Sequence, residues 1–83
     1  MKILYFAWVK AKIGKGEEDL TPPEDVRSVQ ALVHWLQARG EGYAEAFADQ
    51  TRIRAAVNQD HADFAAAIGP NDEIAFFPPV TGG

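Results

Sequence analysis

The sequence predicts a small α+β domain: one mixed β-sheet covered by one main helix, with short extra helices. Three observations predict it. Apolar segments rich in strand-forming residues stand near both ends, at Ile3–Val9 and Glu73–Phe77. Between them lies one clearly amphipathic helical pattern, in which Val29, Leu32, Val33 and Leu36 recur at i, i+3, i+4 and i+7. The 83 residues hold one core, because a second would leave each half too small to fold unaided.

Each element has its own local reason. Ile3–Val9 is apolar on both faces, which suits a central strand. From Ala7 the spacing turns helical, with Val9 and Ile13 four apart and Gly14 as a C-terminal stop. Glu17–Thr21 is a short, charged edge strand that ends at Pro22-Pro23. The main helix spans Val29–Arg39, with Ser28 as N-cap and Gly40 closing it, and Trp35 half-buried beside its stripe. A second short helix at Tyr43–Ala48 pairs Tyr43 with Phe47. Ile53–Asn58 alternates loosely as a strand, with Ile53, Ala55 and Val57 on one face. Gln59–Ala62 reads as a turn, followed by a brief extended piece near Phe64. Gly69-Pro70-Asn71-Asp72 is a strong turn, and Glu73–Phe77 is the last strand, ended by Pro78-Pro79. The first and last strands are the most apolar and belong side by side at the sheet centre. They are then parallel, with the main helix in their crossover. That arrangement is the β-grasp, or ubiquitin-like, fold. It divides the chain into a β-grasp domain at 1–78 and a flexible Gly-Gly tail at 79–83.

Composition removes several functions. Cysteine is absent, so disulfides, thiolate metal sites and a cysteine that carries sulfur are all excluded. Its absence fits a reducing compartment, and a cytoplasmic address is expected. Eight Lys and Arg against twelve Asp and Glu give a net charge of -4, which opposes nucleic acid and suits a basic protein partner or plain solubility. No apolar run approaches the ~20 residues of a membrane span, so no membrane role is expected. Met1–Phe6 lacks a small-residue cleavage site and reads as a strand, not a signal peptide.

The folded body offers no convincing catalytic set. His34 lies in the main helix and His61 in a turn; both read as surface residues outside any zinc spacing. Glu17-Glu18-Asp19 reads as a charged edge that resists aggregation rather than a cation site. Gly14 and Gly16 lack the Gly-Lys-Ser/Thr of a phosphate loop, and no Ser–His–acid set stands out.

The tail differs. Phe76-Phe77-Pro78-Pro79-Val80-Thr81-Gly82-Gly83 leaves a strand, stiffens, then becomes the slimmest chain possible. Proline extends the exit, and glycines let backbone thread a channel that any side chain would block. The reactive group there is the terminal carboxylate, which becomes an acyl donor once ATP converts it to an acyl-adenylate. Phe76 and Phe77 point opposite ways along a strand. The outward ring, with Tyr5 or Phe6 and Val80, forms an apolar docking patch ringed by acids, unless both rings are core.

These residues carry a resemblance. The Phe76–Gly83 ending, with Asp72-Glu73-Ile74-Ala75 before it, resembles the C-terminus of the molybdopterin synthase small-subunit (sulfur-carrier) family. Ala55–Gln59 resembles that family's internal strand and turn, and Lys2–Ala7 its first strand. Gly40-Glu41-Gly42 and Asp60–Ala67 match no part of the pattern. The resemblance implies a subunit that is not an enzyme on its own and holds no permanent cofactor. An adenylating, E1-like enzyme would use ATP to activate Gly83. A sulfur donor such as a cysteine desulfurase would supply a thiocarboxylate. Pro78, Pro79, Val80, Thr81 and Gly82 would thread into the large synthase subunit, where sulfur passes to cyclic pyranopterin monophosphate. Phe6, Phe76 and Phe77 are the docking candidates.

Three alternatives share the fold. Two are carriers: a thiamine-pathway sulfur carrier and a ubiquitin-like modifier of lysines. The third is an interaction module without tail chemistry, for which the last glycines would be dispensable.

Overall fold

The computed structural model describes residues 1–79. They form a five-stranded mixed sheet in the order β2-β1-β5-β3-β4, with α-helices packed on one face. The elements are β1 (Lys2–Tyr5), α1 (Ala7–Ile13), β2 (Glu17–Asp19), α2 (Val29–Gln37), α3 (Glu41–Ala46), a 3-10 turn (Gln50–Arg52), β3 (Arg54–Val57), β4 (Asp60–Ala62) and β5 (Glu73–Phe77). As expected, the first and last strands are adjacent and parallel, with Lys2 beside Glu73 and Tyr5 beside Phe76. The charged strand β2 lies at one sheet edge.

The main helix follows its stripe. Val29, Leu32, Val33 and Leu36 are all fully buried, each contributing roughly 1.5–3 kcal/mol of transfer free energy. Its first amides are fully used. The Ala31 amide donates to Ser28 Oγ at 3.1 Å, while Val29 and Gln30 donate to the carbonyls of Ala66 and Phe64. The loop after β4 therefore serves as the cap that the orphan amides of a helix start require.

Several boundaries differ from the sequence expectation. β1 stops at Tyr5 rather than Val9, because Ala7 adopts φ 54° and turns the chain at once into α1. That turn carries Val9 into the core, and Gly14 closes α1 at φ 93° as expected. Gly40 does not close α2. The helix ends at Gln37 with Ala38 right-handed, and Gly40 is extended at the start of α3. α3 spans Glu41–Ala46, two residues earlier than its apolar pair suggests, though Tyr43 and Phe47 are both buried. The turn expected at Gln59–Ala62 falls instead at Asn58-Gln59, at φ 51° and 72°. Two consecutive left-handed residues reverse an antiparallel pair in the shortest possible loop. The brief strand is therefore Asp60–Ala62, paired with β3, and Phe64 lies in the following loop. Among the described residues no helix is long and apolar enough to cross a membrane.

Candidate functional site

β5 positions the site. Its alternation turns Ile74 and Phe76 into the core and leaves Glu73, Ala75 and Phe77 on the face without helices. Pairing with β1 sets Leu4 beside Ala75; pairing with β3 sets Ala56 beside Ala75 and Arg54 beside Phe77. β4 adds His61 opposite Ala56, and β2 adds Glu17 opposite Leu4. The open face is therefore an apolar strip of Leu4, Ala56, Ala75 and Phe77 between polar flanks. The His61 ring meets Phe77 edge-on, with centroids 5.4 Å apart.

The tail leaves from a clamped root. The Phe6 amide donates to the Phe76 carbonyl at 3.1 Å, so β1 and β5 stay joined up to the end of β5. Half-buried Pro78 and Pro79 continue directly from Phe77. Phe6, whose backbone is thus fixed beside this root just before the left-handed turn at Ala7, is 47% exposed. Val80, Thr81, Gly82 and Gly83, the rest of the expected threading segment and its reactive end, lie outside the described residues.

The docking candidates divide. Phe6 is exposed, and Phe77 is half-buried on the open face. Phe76 is core and cannot dock: it is fully buried, stacked on Tyr5 at 6.4 Å and met edge-on by Phe47 at 4.9 Å. The cause is strand parity, which puts Phe76 on the side of Ile74. Tyr5, the alternative to Phe6, is core by the same parity. The expected ring of acids is also incomplete. Asp19 and Glu73 flank Lys2 in the row far from the tail, Glu17 and His61 stand at opposite edges of the row that holds Leu4, Ala75 and Ala56, and Arg54 stands beside Phe77 at the tail end. Arg54 is held there by its own backbone neighbourhood, since Nη1 donates to the carbonyls of Thr51 and Ile53 at 3.2 and 3.1 Å.

One polar centre escapes the sequence reading. Glu18, the middle acid of β2, turns to the helical side, and its side chain is only 7% exposed. Tyr5 and Tyr43 both donate to Oε2, at 2.8 and 2.6 Å, while the Lys15 ammonium stands 3.3 Å from Oε1 and Arg39 3.9 Å away. Burial pushes the Glu18 carboxyl up, but the hydrogen bonds from Tyr43, Tyr5 and Lys15 outweigh it and hold it below the usual carboxylate range. Burial, reinforced by the bond to Glu18, pushes the Tyr5 phenol up. The available signal was two tyrosines whose hydroxyls need partners when buried. This centre anchors the fold; it has no open side for a substrate. His34 is exposed and meets Gln30 Nε2 at 3.0 Å. Among the described residues no group of three or more His, Cys, Asp or Glu could hold a metal ion.

Residues 3–83 match the ThiS family. The chain belongs to that family. This ThiS-family chain is 37% identical over 83 residues to the molybdopterin synthase sulfur carrier subunit of Escherichia coli (strain K12), with 100% of this chain and 99% of the relative covered. It matches the structure of a putative molybdopterin converting factor, subunit 1, from Pyrococcus furiosus with a TM-score of 0.76, at 27% identity and over 95% of each chain. A complex of subunits 1 and 2 of molybdopterin-converting factor from Helicobacter pylori contains the same fold, with a TM-score of 0.66 at 22% identity, over 99% of this chain and 96% of that one. The β-grasp architecture expected from the strand order is therefore the architecture of this ThiS-family member.

Proposed function

We propose that this chain is the sulfur-carrier subunit of a molybdopterin synthase and that Gly83 is its working group. The observation that carries this reading is the path out of β5. An apolar open face ends at Phe77-Pro78-Pro79 and leads in sequence to Gly82-Gly83, in a chain whose relatives include a synthase sulfur carrier subunit. The chain has no cysteine, so sulfur carried covalently needs another site, and an activated terminal carboxylate is the chemically suitable one.

In this reading an activating enzyme binds ATP, and the Gly83 carboxylate attacks its α-phosphorus with loss of pyrophosphate. The persulfide of a donor such as a cysteine desulfurase then displaces AMP to give an acyl disulfide. A second thiol attacks the donor-side sulfur, which breaks the S–S bond, leaves the thiocarboxylate on Gly83 and forms a disulfide between the two thiols. The glycines pass a narrow channel in the large subunit because they have no Cβ. There the sulfur moves to cyclic pyranopterin monophosphate. The catalytic side chains belong to the large subunit; this chain is a substrate recharged after each transfer.

The test is charging followed by transfer. Incubation with the cognate activating enzyme, ATP and a sulfur source raises the intact mass by about 16 Da, the exchange of one oxygen for sulfur. No change, under conditions that charge a known carrier, overturns the reading. The charged chain then forms molybdopterin with a large subunit and the pyranopterin substrate. Success in a thiazole-forming assay instead of this one assigns it to the thiamine pathway.

A further inference from the structure

We propose that the start of β2 carries a cationic docking point for the protein that takes the tail, and that this partner sets a carboxylate against Lys10, Lys15 and Arg39. This deepens the carrier reading and rests on it. The backbone of β2 gathers the three cations. Gly16 pairs with Tyr5, whose amide donates to the Gly16 carbonyl at 2.9 Å, so position 16 faces the helical side, as Glu18 does. The Lys10 stem uses the space that a glycine leaves there: a Cβ on Gly16 would stand 3.3 Å from Lys10 Cε and 3.6 Å from Nζ. Two residues along, the Lys15 ammonium and the Arg39 guanidinium stand 3.3 and 3.9 Å from one oxygen, Glu18 Oε1. One carboxylate thus faces three cations, and it already accepts from Tyr5 and Tyr43. Lys10 is exposed and has no salt-bridge partner among the described residues. Glu17 turns to the open face, 3.7 Å from Lys2, and Glu45 stands 3.7 Å from Lys12, so neither neutralises the cluster. The Lys15 and Arg39 side chains remain 51% and 35% exposed, open to a partner. Arg39 is also pre-organised. Its guanidinium lies 5.1 Å from the Trp35 ring centroid and 5.8 Å from that of Tyr43, so it loses little freedom on meeting a carboxylate.

Charge and position decide the occupant. The chain has a net charge of -4, so an acidic partner is repelled by most of its surface and drawn to this cluster, which fixes the approach. The same net charge disfavours nucleic acid, whose phosphates need a far broader cationic footprint. Gly16, Tyr5 and Phe76 form one row across β2, β1 and β5. The cluster therefore stands two strand spacings, roughly 10 Å, from the strand that ends in the tail. A protein that holds the tail beyond Phe77 can reach it in the same complex.

The experiment measures affinity of the full chain for the cognate synthase large subunit, at low and high salt. Lys10→Glu weakens binding about tenfold and Lys15→Gln about threefold, while wild-type affinity falls with added salt. Arg27→Glu, in the loop before α2, makes the same change in net charge as Lys10→Glu and leaves affinity within about twofold. Lys10→Glu breaks no ion pair among the described residues, so its melting temperature stays within about 3 °C of the wild type. Equal weakening by Lys10→Glu and Arg27→Glu means that only net charge matters and overturns the proposal. Wild-type binding that is indifferent to salt and unchanged by Lys10→Glu and Lys15→Gln also overturns it, while leaving the carrier reading intact. Inorganic phosphate that saturates the cluster of the free chain below about 1 mM means a small-anion site and overturns the protein partner. No binding of the large subunit by the wild type overturns the carrier reading itself, and the proposal with it.

Discussion

The Tyr43 phenol donates to Glu18 Oε2 at 2.6 Å, tying α3 to the edge strand β2. Tyr5 reaches the same oxygen at 2.8 Å from the central strand β1, so one carboxylate joins three elements. Hydrogen bonds to a charged group contribute about 1.5–3 kcal/mol, and a buried hydroxyl left without a partner costs about 1–3 kcal/mol. Glu18→Ala is therefore expected to lower unfolding free energy by about 2–4 kcal/mol, because it strands the fully buried Tyr5. Tyr43→Phe leaves Glu18 its other donors and is expected to cost about 1 kcal/mol. Denaturant titration of both variants checks the ranking; equal small losses would show that the centre is not an anchor.

The same centre sets an acid dependence. The Glu18 carboxyl sits below its ordinary value of 4.5 in the folded chain. As pH falls, the unfolded chain takes up this proton first. The stabilisation is therefore complete above the ordinary carboxylate range and is lost as pH drops through the lowered folded value. Asp49, held low by its bonds from Thr51, and Asp72, held low by Asn58 and the Gly69 amide, act in the same direction from more exposed positions. Glu18→Gln is expected to be less stable at neutral pH and to lose less stability between about pH 6 and pH 3. A variant curve parallel to the wild type would mean that Glu18 does not set the dependence.

Gly42 and Gly14 make a contrasting pair. A Cβ on Gly42 would stand 2.5 Å from the Lys12 carbonyl oxygen, where α3 crosses the end of α1. Backbone cannot swing aside as a flexible side chain does, so Gly42→Ala must push the helices apart, at about 1–3 kcal/mol. A Cβ on Gly14 meets nothing within 4 Å, but the residue sits at φ 93°. Gly14→Ala is therefore expected to cost about 1 kcal/mol through backbone strain alone. Thermal melts, with chemical shifts confined to α1 and α3 for Gly42→Ala, distinguish the two causes.

Much of this arrangement was legible because it rests on local periodicity. The Val29–Leu36 stripe, the Ser28 cap, the Gly69–Asp72 turn and the central pairing of the apolar end strands all follow from spacing and side-chain type. What escaped was set by tertiary contact. Glu18 sits among acids that look alike in sequence, and the register of β2 against β1 singles it out. The Asn58-Gln59 reversal depends on a glutamine adopting a left-handed conformation that its residue type does not favour. The Phe64–Ala66 loop lacks periodicity because its carbonyls serve the start of α2. At the site itself, alternation alone foretold that one of two adjacent phenylalanines faces outward; the pairing with β1 decided which.

That pair gives the sharpest separation of stability from function. Phe76 fills the core between Tyr5 and Phe47, so Phe76→Ala removes a fully buried ring, at an expected cost of about 3–5 kcal/mol. A domain of this size has about 5–10 kcal/mol in total, so the variant is marginal or unfolded at 37 °C. Phe77 is only half-buried, its ring against His61 on the open face. Phe77→Ala is expected to cost about 1 kcal/mol or less in stability, and the exposed Phe6→Ala still less. If the open face docks the partner, these two variants instead weaken binding to the large subunit, by about tenfold for Phe77→Ala, because an aromatic ring at the centre of an interface contributes far more than its neighbours. Unfolding free energy should therefore single out Phe76→Ala, whereas affinity for the large subunit, compared between the wild type and the two folded variants, should fall most for Phe77→Ala. Should Phe77→Ala lose stability as Phe76→Ala does and bind normally, Phe77 is core, and docking must be sought on another surface.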